Sequence, residues 1–151
     1  MVALAIVTTV FAIAIPNYLT WNRTYQLRQA TTELQGNLTL ARMTAMNRNA
    51  TMTVTLGPIA CPPDTTYCGV NGVSFGGAIP PLAFANGKIT ASLITGGTTV
   101  QLSSLGLRIG GPQLPGDPNQ YITLMNTDNL TYSIVITPGG KIRWCPASTC
   151  S

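Results

Sequence analysis

Hydrophobic positions follow two regimes in the first third of the chain. From Met1 to Ile15 the sequence MVALAIVTTVFAIAI carries no charge, and from Trp21 to about Asn49 apolar residues recur at helical spacing. Leu27, Leu34, Leu38, Ala41 and Ala45 follow at steps of seven, four, three and four, which places them on one stripe of a helix. Arg23, Arg28, Arg42 and Arg48 fall largely off that stripe. The two segments join through Pro16-Asn17-Tyr18, with neither basic residues ahead of the apolar run nor a small-residue cleavage site behind it. The pattern predicts one N-terminal helix over 1–49, apolar over 1–20 and amphipathic over 21–49, docked by its stripe on a globular core. Pro16 removes a backbone donor and Gly36 is a second weak point.

After Asn49 the period changes from helical to alternating. Met52 to Leu56, Ile89 to Leu93, Thr98 to Leu102, Tyr121 to Met125, Leu130 to Ile136 and Lys141 to Trp144 read as strands bounded by Gly, Pro, Asn or Asp. Asn126-Thr127-Asp128-Asn129 and Pro138-Gly139-Gly140 read as hairpin connections, so the last three strands are expected to form an antiparallel meander. Gly57 to Pro81 and Gly106 to Asn119 read as long surface loops, with one short strand around Val73 to Phe75. The sum is an α+β chain with a β-rich head over 50–151.

Composition sharpens this picture. Only 8% of the 151 residues are charged, against roughly 25% in an ordinary soluble domain. Net charge is +4, and the basic residues are spread from Arg23 to Arg143 without a run. A sparsely charged surface puts little repulsion between copies, which suits self-association. Fifteen apolar residues make a helix of about 22 Å, short of the roughly 30 Å hydrocarbon core of a bilayer.

Four cysteines fall in two close pairs, Cys61 and Cys68 in CPPDTTYC, and Cys145 and Cys150 in CPASTC. Of the three connectivities possible, the local one, Cys61–Cys68 with Cys145–Cys150, closes the shortest loops and is the one expected. Zinc is the competing reading, but neither spacing is C-x2-C and the chain has no histidine. Disulfides place the head in an oxidising compartment outside the cytoplasm.

Enzymatic chemistry finds little support. Glu33, Asp64, Asp117 and Asp128 are the only acids and are scattered over a helix and three loops, so no carboxylate pair, triad or metal cluster follows from spacing. No cofactor is expected: Gly76-Gly77 and Gly96-Gly97 lack the strand–glycine–helix context of a phosphate cradle.

At MVALAIVTTVFAIAIPNYL and on through the helix to Asn49, the chain resembles the type IV pilin and type II secretion pseudopilin superfamily. Leu102-Ser103-Ser104-Leu105-Gly106, the strands from Tyr121 and Leu130, and Gly140-Lys141-Ile142-Arg143 are similar to the C-terminal layout of its GspH/FimT-like branch. The resemblance implies a pilin-like fold, a long N-terminal α-helix packed on an antiparallel β-sheet head. It also implies a homopolymeric extracellular filament or periplasmic pseudopilus, built by pilus or type II secretion machinery from subunits held first in the bacterial inner membrane. The phenylalanine-led start and early glutamate of that superfamily are absent here. Aligning Pro16 with the superfamily's proline leaves about six residues, close to FTLIEL, to precede Met1 and extend the apolar run to about 21 residues, a full span. Met1 is therefore expected to be internal to the mature protein or a mis-assigned start.

Two sets of residues are candidates for function. Met1, Val2, Leu4, Ile6, Val7, Val10, Phe11, Ile13, Ile15 and Pro16 are expected to form the filament core. Lys141 and Arg143 alternate onto one face of the last strand, and with Arg108 they are the candidate contacts for DNA, by resemblance to a pilin of competence. The competing reading of that pair is a solvated edge strand protected from aggregation. Tyr18, Trp21 and Tyr25 share a helical side just past the apolar run, the position of an interfacial aromatic belt.

Overall fold

The computed structural model describes residues 2–59, 71–84, 88–93, 97–110, 116–148 and 150, with the backbone alone over 2–17. One α-helix, α1, runs from Val2 to Asn47 without a break at Pro16 or Gly36. Its 46 residues correspond to about 69 Å of helix. α1 ends in a Schellman arrangement: Ala50 N–H donates to Ala45 O and Asn49 N–H to Met46 O, with Asn49 at φ 48°. The predicted stripe is the docked one, since Leu27, Leu34, Leu38, Ala41 and Ala45 are all buried. Among the described residues no helix is long and apolar enough to cross a membrane.

Among the described residues nine strands follow: β1 (Met52–Pro58), β2 (Asn71–Phe75), β3 (Ile79–Ala83), β4 (Ile89–Leu93), β5 (Thr99–Leu102), β6 (Arg108–Ile109), β7 (Gln120–Asn126), β8 (Thr131–Ile136) and β9 (Ile142–Cys145). They form two antiparallel sheets, in the orders β3-β2-β1-β5-β6 and β4-β7-β8-β9. The chain crosses to the second sheet at β4, returns for β5 and β6, and crosses again at β7. The β7–β8–β9 meander is as expected, with Ile122 opposite Ile134 and Ile134 opposite Trp144.

Two of the predicted loops contain strands. β3 is the sequence Ile-Pro-Pro-Leu-Ala, whose prolines read as a loop. They are tolerated because β3 is a sheet edge, where a missing N–H costs no ladder bond and also blocks further pairing. Ile79 and Leu82 point inward while Pro80 and Pro81 face solvent. β6 is two residues of the second loop, paired to β5 through Leu102 and Arg108.

The core lies between the stripe of α1 and the inner faces of both sheets. Val54, Val73, Phe75, Val100, Leu102, Ile122, Leu124, Ile134 and Ile136 are buried in one cluster with the helix leucines. α1 therefore has one side committed to the head.

Candidate functional site

The opposite side of α1 carries the larger signal. Tyr18, Trp21 and Tyr25 are 63%, 63% and 56% exposed, and Leu40 and Met43 about half exposed. At about 100° per residue these five point away from the Leu27 stripe. The three rings form a ladder, with centroids 6.3 Å apart from Tyr18 to Trp21 and 5.8 Å from Trp21 to Tyr25. A side chain added at Gly36, on the same side, would meet nothing within 4 Å.

This outward side is almost without charge because the helix's cations turn toward the head. Arg23 pairs with Asp128 in the β7–β8 turn at 2.6 Å. Arg28 lies 5.8 Å from the centre of the Trp144 ring. Arg42 donates from Nε to Gly106 O at 2.9 Å and from Nη2 to Gly139 O at 3.3 Å. Glu33, at the border of the outward side, has no partner among the described residues.

Of the expected filament-core residues, Met1 lies outside the described residues. Val2, Leu4, Ile6, Val7, Val10, Phe11, Ile13, Ile15 and Pro16 lie on the described backbone of α1, their side chains outside it. Arg23 ties the helix to the head through Asp128, and Val2 to Asn22, about 31 Å of helix, precedes it.

The candidate basic residues separate. Lys141 and Arg143 are exposed, with Ile142 and Trp144 between and beside them half-buried, as alternation predicts. Arg108 is turned inward: it is 7% exposed, with Nη1 donating to Gly110 O and Nη2 to Pro118 O. Burial pushes its pKa down. A guanidinium that ties a loop carbonyl to a strand end is removed from the set that can reach a phosphate.

Cys145 and Cys150 form the expected disulfide, with Cα atoms 5.8 Å apart. The Cys61–Cys68 pair lies outside the described residues. Against the disulfide loop, Ser133 Oγ donates to Ser148 O, and the Tyr121 hydroxyl donates to Asp117 Oδ2. That bond, then the Asn119 N–H, lowers the Asp117 pKa, and the same bond followed by burial raises that of Tyr121.

Sequence reasoning missed the role of Arg42. Gly106 in the β5–β6 turn and Gly140 in the β8–β9 turn abut, and Arg42 bonds across both turns. The only local signal was an arginine just off the buried stripe and two glycines in turn context. Among the described residues no group of acids, cysteines or histidines is placed to hold a metal.

The fold matches that of solved proteins. The chain aligns with a crystal structure of the type IV minor pilin FimU of Pseudomonas aeruginosa strain PAO1, with TM-score 0.58 and 16% identity, over 85% of this chain and 95% of that one. A second crystal form of FimU aligns with TM-score 0.53 and 17% identity, over 81% of this chain and 94% of that one. At such identity the likeness is one of fold, the pilin fold: a long N-terminal helix on antiparallel sheets. Neither a family model nor a curated protein matches the chain.

Proposed function

We propose that this chain is a pilin-like structural subunit of a type IV pilus-like extracellular filament, polymerising through α1. The observation that carries the reading is the nearly uncharged outward side of α1, where Tyr18, Trp21, Tyr25, Leu40 and Met43 stand in solvent along a helix whose other side is docked from Leu27 to Ala45. Large apolar groups aligned on one element of a monomer mark a surface that is covered in the working state. Each buried large apolar side chain contributes roughly 1.5–3 kcal/mol, so a few such contacts per copy offset the cost of association. The segment Val2 to Ile15 belongs to the same helix and carries no charge to oppose packing. It suits residence in the bacterial inner membrane before assembly and packing against its own copies afterwards. The role is structural, not enzymatic, and the expected partners are further copies and the machinery of pilus or type II secretion assembly.

Replacing both Trp21 and Tyr25 by Asp tests this in the producing organism. Sheared filaments containing this chain are expected to be lost, while the isolated protein keeps its thermal midpoint, because both side chains already face water. Unchanged filament mass would overturn the reading.

A minor-subunit version, at a tip or in priming, is favoured by the likeness to FimU, a minor pilin. Relative mass in sheared filaments separates the two: a dominant band marks a major subunit and a trace a minor one. DNA capture rests on Lys141 and Arg143 alone once Arg108 is turned inward. Two phosphate contacts per copy bind weakly unless multiplied along a filament. If DNA is captured, assembled material gives a salt-sensitive gel shift that Lys141→Ala with Arg143→Ala abolishes; no shift at low salt ends that reading.

A further inference from the structure

Two features lie on opposite flanks of α1. On the first flank, the β5–β6 turn projects Leu105, 74% exposed, and Leu107, 43% exposed. The turn is held on several sides: Gly106 N–H donates to Ser103 O, Ser103 N–H to Leu107 O, and Leu107 N–H to Ser103 Oγ. Arg42 holds Gly106 O from the helix. An exposed leucine on a turn so constrained loses little freedom when covered, which is the condition for an efficient contact. Arg42 and, beyond the abutting Gly140, Lys141 make the surroundings of this knob cationic.

On the second flank, a half-open groove of about 120 Å³ runs between α1 and strands β3 and β4. Buried Leu82, Phe84 and Ile89 and half-buried Ala30 line its interior, and Gln29 and Glu33 stand at its rim. The volume is somewhat below the roughly 150 Å³ that accepts benzene in an engineered apolar cavity, the scale of one branched aliphatic side chain. Glu33 has no partner among the described residues, and Lys88, which precedes β4, does not line the groove.

We propose that Leu105 of one copy seats in this groove of the next, with Glu33 facing the Arg42 and Lys141 surroundings of the knob. The proposal rests on the filament reading and names its head-to-head contact. The occupant is a second copy because an exposed leucine with cations around it and an apolar groove with an acid at its rim lie on opposite flanks of α1 and cannot meet within one molecule. Arg42 and Met46 mark the knob and Gln26 to Glu33 the groove, roughly 170° apart around α1 and offset by about 22 Å along it. Such a contact is heterologous, and a heterologous contact that does not close generates a helical polymer. With helices parallel, contacting neighbours are staggered by about 20 Å.

The test places Leu105→Cys and Gln29→Cys in the full chain, expressed in place of the natural one, and oxidises sheared filaments. A disulfide ladder of this chain on a non-reducing gel, absent from each single variant, is the expected result. Filaments without a ladder, or a Leu105→Cys cross-link to a different protein, would overturn the knob-and-groove contact and leave polymerisation through α1 standing. Absence of filaments from the natural chain would overturn both. Independently, Leu105→Asp is expected to cut filament mass about tenfold with an unchanged thermal midpoint. Glu33→Lys is expected to weaken assembly and Lys141→Glu to restore it in the double variant. Failure of the swap together with an unaffected Leu105→Asp would likewise overturn the contact.

Discussion

Gly106 and Gly140 hold φ of 73° and 74°, values that an L side chain rarely adopts. A Cβ on Gly140 would run into the Gly106 carbonyl, the same atom that Arg42 Nε holds. Gly140→Ala therefore meets both a strained φ and a backbone clash, and should cost about 2–3 kcal/mol of stability by denaturant titration. A cost under about 0.5 kcal/mol would show that the two turns do not depend on their contact. Tyr121 and Asp117 offer a pH test. Asp117, held low by the Tyr121 hydroxyl, contributes stability present above the ordinary carboxylate pKa and lost as pH falls through its lower folded value. Tyr121, held high by the same bond, contributes stability present below its ordinary pKa and lost as pH rises through its raised one. Tyr121→Phe should flatten the thermal midpoint at both ends of a scan from about pH 2 to about pH 11. Equal curvature in the two proteins would remove this pair as the cause.

At the level of elements, α1 was legible because a helix writes its period into the sequence: Leu27, Leu34, Leu38, Ala41 and Ala45 are buried as their spacing required. Strand β3 was not legible, since Pro80 and Pro81 are the usual mark of a loop and only the edge position excuses them. The inward turn of Arg108 was not legible for a related reason. A cation in a glycine-rich stretch reads as solvated, and only the pairing of β5 with β6 turns it under the Gly110 and Pro118 carbonyls. The Cys145–Cys150 bridge closes a loop with a sequence separation of 5. Loop-closure entropy over so short a span makes it worth about 2 kcal/mol. Replacing both cysteines by serine should lower stability by that amount and loosen the Ser133–Ser148 bond, leaving the remaining core packed. A loss several times larger would show that the bridge organises the meander and not the loop alone.

For the whole molecule, the decisive fact is that α1 has two unlike sides. One is docked on the head from Leu27 to Ala45, and the other keeps its aromatics in solvent and is almost without charge because Arg23, Arg28 and Arg42 turn toward the head. The sequence by itself determined the long helix, its docked stripe, the closing meander and one local disulfide, because each depends on residues near one another in the chain. Tertiary structure alone decided how β1 to β6 divide between two sheets with β4 across the gap, and which arginines are structural. It also decided where Leu105 stands relative to the groove beside Glu33. Those outcomes depend on contacts between residues such as Arg42 and Gly139, 97 positions apart, for which local spacing carries no record.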